Sequence, residues 1–190
     1  DYKITHEQDS EEHVSLMPLA RESFERACTA SHAESCRISG DLIAEHKPKF
    51  VYLIPTFGNP SGAMLNLERR KRVLELAVRY QTLIVEDDPY GDLYFNDAPP
   101  PSLLALSAGV PGSRELLVHC GSLSKVLSPG LRVGWMIAPP ELLGKATMCK
   151  QFSDAHTSTF AQATAAQYLK AGRMPATLAK VRAVYAERAQ

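Results

Sequence analysis

The chain has 190 residues, 45% of them hydrophobic and 22% charged, with 21 Lys+Arg against 21 Asp+Glu. That length buries the core of one ordinary domain, or of one domain and part of a second, and the composition is that of a soluble globular chain rather than a disordered one. A net charge of zero argues against a protein that works by neutralising nucleic-acid phosphates, and no apolar run approaches a membrane span.

The first residues, Asp1 to His6, contain no apolar stretch of the signal-peptide kind and no initiating Met, which is the expectation for a processed or excised segment. Residues 1–15 carry five acids and read as an exposed arm. Leu16, Leu19, Ala20, Phe24, Ala27 and Cys28 then recur at helical spacing. Gly40 breaks the chain, and Asp41 can cap a short helix ending before Pro48.

Phe50 to Ile54 is a continuous apolar run between Pro48 and Pro55, the pattern of a strand covered on both faces in a parallel sheet. Turn residues fill 56–66, and Asn66 can cap a helix through Leu74 and Tyr80. Thr82 to Glu86 is a second buried strand, so residues 50–86 form a strand–helix–strand unit. After the proline-rich stretch through Pro101, a third strand is expected at 116–120 and a fourth at 131–138. The segment between them is too short for a helical crossover, which predicts an antiparallel pair. Two further helices are expected, over about 140–171 with a possible break and over about 175–190.

Cys28, Cys36, Cys120 and Cys149 have no C-x-x-C spacing, and the six histidines are scattered, so reduced structural thiols are expected and no metal centre. His119 reads as a satisfied core histidine and Trp135 as core packing, and the basic run Arg69 to Arg72 reads as a solvated helix face.

Polar groups concentrate in three loops that follow strand ends, where open α/β sheets bind ligands. The loops are PTFGNPSG (55–62), VEDDPY (85–90) and SLSKVLSPGLRVG (122–134). Each alone has an ordinary reading as a turn, a cap or a surface lysine. Together, in this order and with spacings of 28 residues from Asn59 to Asp87, 38 to Lys125 and 7 to Arg132, they resemble the class I/II aminotransferases. These are fold-type I enzymes dependent on pyridoxal phosphate (PLP). The detail is similar to the branch containing 2-aminoadipate and kynurenine aminotransferases, over roughly residues 41–190.

The resemblance implies an α/β three-layer sandwich, mainly parallel with one antiparallel strand. Its large-domain core would span 41–171, preceded by a poorly matched arm and helix at 1–40 and followed at 172–190 by the start of a small domain. It implies that Lys125 is the Schiff-base lysine, a nucleophilic amine that also carries the transferred proton. Asp87 would pair with the pyridinium nitrogen and keep the ring an electron sink. Asn59 and Tyr90 would bond its phenolic oxygen, and Ser122, Ser124 and Arg132 would hold its phosphate. The substrates would be an amino acid and a 2-oxo acid, in a cytoplasmic homodimer with neither nucleic-acid nor membrane partners.

Three parts of the family's site have no match in these residues: a small-residue turn that binds the phosphate and the aromatic ring stacked on the cofactor, neither found within residues 1–40, and the arginine that clamps the substrate carboxylate. Arg173, Arg182 and Arg188 stand in no matching motif. The 190-residue chain by itself is therefore expected to take up PLP marginally and to turn over poorly. Other readings of the same residues are the effector domain of a bacterial transcription regulator, a PLP-dependent lyase or decarboxylase, and a non-catalytic fragment.

Overall fold

A computed structural model describes residue 40 and residues 42–94 and 96–188. The chain divides into two units, residues 1–47 and residues 48–190. In the first, residues 42–46 are helical, and the turn closes with the Lys47 N–H donating to the Ile43 carbonyl at 2.9 Å. The helix expected at 16–28 lies outside the described residues.

The second unit is built on a four-stranded sheet in the order β1-β2-β3-β4. The strands are β1 (Phe50–Leu53), β2 (Leu83–Asp87), β3 (Leu117–Ser122) and β4 (Gly134–Ile137). β1 and β2 are parallel, as are β2 and β3, and β4 runs antiparallel to β3. The reversal has the expected origin: the 11 residues 123–133 form a tight turn and one 3-10 segment, Pro129–Leu131, with no helix to carry the chain back across the sheet.

The crossover helix α1 (Leu67–Tyr80) starts where an asparagine can cap it: Asn66 Oδ1 accepts from the Arg69 N–H at 3.0 Å. It ends at Gln81 in the left-handed region, φ 51°. The next crossover carries only a short helix, α2 (Leu103–Leu106), with 3-10 turns at Ser107–Gly109 and Arg114–Leu116. Three longer helices follow: α3 (Pro140–Asp154), α4 (Thr159–Lys170) and α5 (Met174–Arg188). The expected break in the 140–171 helix falls at 155–158, where Ala155 has φ 61° and Ser158 caps α4.

Strand alternation sorts the sheet into two faces. Leu53, Ile84, Glu86, Leu117 and His119 share one face and are buried. Leu74, Leu76 and Ala77 of α1 are buried as well, and α1 packs on β2 and α2. The other face carries Phe50, Tyr52, Val85, Asp87, Cys120 and Met136. There Phe50 and Tyr52 are about half exposed. Among the described residues, β1 is thus covered on one face, whereas its apolar run predicts cover on both.

Trp135 also departs from expectation. It stands opposite Gly121 on β4 and is 45% exposed, so it lines the sheet rather than filling the core. Its indole lies so close over β3 that a Cβ at Gly121 would sit 2.3 Å from it, which only glycine permits.

Candidate active site

The parallel pairing sets the site. Because β1, β2 and β3 point the same way, the loops that leave them emerge at one end of the sheet. β4 enters from that same end. Topology therefore gathers Asn59, Asp87, Tyr90, Ser122, Ser124, Lys125 and Arg132 at one edge, from segments far apart in sequence.

The first loop is held by its own backbone. Gly58 N–H donates to the Ala63 carbonyl at 2.8 Å, Leu65 N–H to the Pro55 carbonyl at 2.9 Å, and the Asn59–Pro60 peptide is cis. Gly62, at φ +68°, takes a conformation that suits glycine. Asn59 stands exposed at the tip.

Arg70 anchors this loop from below. It is fully buried on α1, and its guanidinium donates to the carbonyls of Leu65 at 2.8 Å, Pro55 at 2.9 Å and Pro101 at 3.2 Å, and to Thr56 Oγ1 at 2.8 Å. Burial lowers its pKa, and the nearby Glu86 and Asp88 carboxylates oppose that shift. The basic run is therefore not a uniformly solvated face. Arg70 shares a helix face with Leu74 and Ala77, at the i, i+4 and i+7 positions that point inward.

The second loop separates two neighbouring acids by strand parity. Asp87 lies opposite Cys120 on the open face, and Tyr52 Oη donates to its Oδ2 at 2.5 Å. Asp88 is the next residue, with its side chain toward the other face. Its N–H continues the ladder to the Cys120 carbonyl at 2.9 Å, and its Oδ1 accepts from the Gly91 N–H at 3.0 Å. Burial raises the Asp88 pKa, with the Glu86 charge acting in the same direction. Tyr90 is half-buried in the turn that follows, where its carbonyl accepts from the Leu93 N–H at 2.8 Å.

The third loop presents its lysine by burying the neighbours. Leu123 and Val126, each 5% exposed, pack with Ala165 of α4. Lys125 between them is left exposed. Ser122 Oγ accepts from the Ser124 N–H at 3.0 Å, and the Leu127 N–H closes the turn on the Leu123 carbonyl at 2.9 Å. Arg132 ends the 3-10 segment in the left-handed region, φ 53°, with its side chain exposed.

A second polar group lies on the buried face, and only part of it stands out in the sequence. Glu86 is fully buried, and its carboxylate accepts from the Leu103 N–H at 2.7 Å, the Leu104 N–H at 3.1 Å and His119 Nδ1 at 2.7 Å. His119 is thus the satisfied core histidine its position suggests. A cavity of about 750 Å³ opens on this side, lined by Thr56, Asp88, His119, Ser122 and Trp135 among others. Asn59, Asp87, Tyr90, Lys125 and Arg132 are not in its wall. Strand pairing puts the rest of the polar set at the strand ends, with Ser122 shared with the cavity wall, and the candidate site is placed there. Arg182 is engaged elsewhere: its Nε donates to the Asp92 carbonyl at 2.7 Å and its guanidinium lies 3.8 Å from the Tyr94 ring centroid.

The Glu86–His119 contact has a pH signature. The hydrogen bond to the Glu86 carboxylate raises the His119 pKa above the usual 6.5, against the effect of burial. A histidine raised in the folded state stabilises fully below its unfolded value, and that contribution is lost as pH rises through the folded value. The buried Asp88, also raised, has the same sign. The urea midpoint should therefore fall as pH rises above the usual histidine value of about 6.5, on top of a fall that Asp88 begins above the usual carboxylate range, and His119→Gln should flatten the part above about 6.5. An unchanged slope in the variant would remove His119 from that account.

The sequence pattern described as aminotransferase class I and II matches residues 22–190. The chain is 44% identical over 152 residues to the 2-aminoadipate transaminase of Thermus thermophilus, a match covering 79% of this chain and 37% of that protein. A crystal structure of an alpha-aminoadipate aminotransferase from the same species, complexed with N-(5'-phosphopyridoxyl)-L-leucine, superposes with a TM-score of 0.70 at 44% identity. It is matched over 79% of this chain and 39% of that one. An uncharacterized HTH-type transcriptional regulator of Bacillus subtilis is 32% identical over 155 residues, which is 80% of this chain and 31% of the regulator. The chain spans less than two-fifths of the length of these relatives. With its mixed sheet and its strand-end polar set, it belongs to the class I and II aminotransferase family.

Proposed function

We propose that the chain is the central part of a PLP-dependent aminotransferase, exchanging an amino group between an amino acid and a 2-oxo acid. The observation that carries this reading is the strand-end placement of Asp87, Lys125 and Arg132 by parallel pairing, three charged residues supplied by two separate loops. The residue types fit the group: an exposed amine, an acid on the open sheet face, and a serine pair with an arginine for a phosphate. When bound, PLP supplies an electron sink for bond changes at the substrate Cα.

Each residue then has a task. Lys125 Nζ, exposed between two buried anchors, would be the amine that holds the cofactor and would carry the proton moved at the substrate Cα. Asp87 holds the ring nitrogen protonated. Asn59 and Tyr90 donate to the phenolic oxygen. Ser122, Ser124 and Arg132 bind the phosphate, the guanidinium by its paired donors.

The same reading takes residues 41–171 as the cofactor-binding core, after a poorly matched 1–40 segment, and 172–190 as the start of the small domain. It also takes the protein as a cytoplasmic homodimer. Free thiols at Cys120 and Cys149 support a reducing compartment. Phe152 and Phe160, 84% and 80% exposed on α3 and α4, offer apolar surface to a second protomer. Among the described residues, no helix is long and apolar enough to cross a membrane.

The test is amino transfer by the natural full-length chain, loaded with PLP and offered a panel of amino acids and 2-oxo acids. Stoichiometric conversion of one pair into the other supports the reading. Release of carbon dioxide or ammonia without a new amino acid would replace it with a decarboxylase or lyase.

A further inference from the structure

β1 contributes a hydroxyl to the candidate site that the functional assignment leaves unused. Tyr52 pairs in register with Val85, so its side chain stands on the open face, beside Asp87 two residues further along β2. The ring is 52% exposed, yet its hydroxyl is committed: it donates to Asp87 Oδ2 at 2.5 Å. Partial burial and the Asp87 carboxylate together push the Tyr52 pKa up to about 12. The group therefore stays protonated, and a donor, throughout the working range of an enzyme.

An aspartate's carboxylate torsion is broad and roughly two-fold, so at a strand end the group turns easily unless something holds it. We propose that Tyr52 is a positioning residue, holding Oδ2 of Asp87 so that Oδ1 is presented to the cofactor's ring nitrogen. A carboxylate has about four lone-pair directions, enough for the phenol and the ring N–H together. Register makes the arrangement possible, since β1 must pair with β2 without a slip for a tyrosine there to meet this acid. The inference rests on reading Asp87 as the ring-nitrogen acid.

The test is a double-mutant cycle on the natural full-length chain: wild type, Tyr52→Phe, Asp87→Asn and both together. One readout is the dissociation constant for PLP by fluorescence titration. The other is the ring-nitrogen 15N shift of labelled PLP, which reports whether that nitrogen is protonated. Phenylalanine keeps the half-exposed ring and removes only the oxygen, and the urea midpoint of the cofactor-free protein checks the fold.

Tyr52→Phe should weaken PLP binding about tenfold, within the range for a hydrogen bond to a charged group, and shift the 15N signal toward the unprotonated position. Asp87→Asn should weaken binding more, and adding Tyr52→Phe to it should change nothing further. If Asp87→Asn acts as stated but Tyr52→Phe leaves both readouts unmoved, or the two effects multiply, the role of Tyr52 is overturned while that of Asp87 stands. If Asp87→Asn itself leaves PLP affinity and the 15N shift unchanged, both fall.

Discussion

Lys125→Ala in the PLP-loaded full-length protein should abolish the yellow imine absorbance and lower kcat/KM by at least about a thousandfold. General acid–base catalysis alone contributes roughly a hundredfold to ten-thousandfold, and the lysine is asked to supply the covalent link as well. A thousandfold is about 4 kcal/mol of lost transition-state stabilisation. The fold should be indifferent. Lys125 is exposed, and the turn that carries it is held by Leu123 and Val126 and by backbone bonds. Surface substitutions of that kind stay within about 0.5 kcal/mol. A variant that keeps its absorbance and rate would mean that another amine takes the cofactor.

Asp87→Ala and Asp88→Ala should separate cleanly, because adjacent strand residues face opposite sides of the sheet. Asp87 looks onto the open face beside Tyr52, and Asp88 accepts from Gly91 and borders the cavity on the other side. Asp87→Ala should cost at least a hundredfold in the single-turnover proton-transfer step, about 3 kcal/mol. It should scarcely move the urea midpoint, since water can replace the carboxylate for a half-exposed phenol. Asp88→Ala should stay within tenfold in rate and instead lose about 1 kcal/mol of stability with its turn bond. Equal kinetic effects from the two variants would reject this assignment by parity.

The strands and the loops between them were legible for different reasons. Phe50 to Leu53 and Leu83 to Val85 are apolar and rich in β-formers, so burial and propensity agree. The antiparallel fourth strand followed from chain length alone. The strand-end set was legible because an asparagine, an acid, a lysine and an arginine (Asn59, Asp87, Lys125 and Arg132) recur at family spacing.

What escaped the sequence depends on contacts between distant segments. Arg70 looks like one of a charged run, and only its helical phase with Leu74 and Ala77 gives it away. Glu86 shares a strand face with Ile84, but its three donors come from α2 and β3. Tyr52 has no motif of its own, and its meeting with Asp87 follows from strand register, which the sequence does not display. Trp135 reads as core because it is large and apolar, yet β4 lies at the sheet's edge with its residues exposed.

The central claim is that Lys125 is the amine that takes PLP. The most direct measurement is borohydride reduction of the PLP-loaded full-length protein, followed by proteolysis and mass mapping of the pyridoxyl label. The account predicts stoichiometric label on the peptide containing Lys125. Label on another lysine, such as Lys145 or Lys150, with Lys125 unmodified would contradict it.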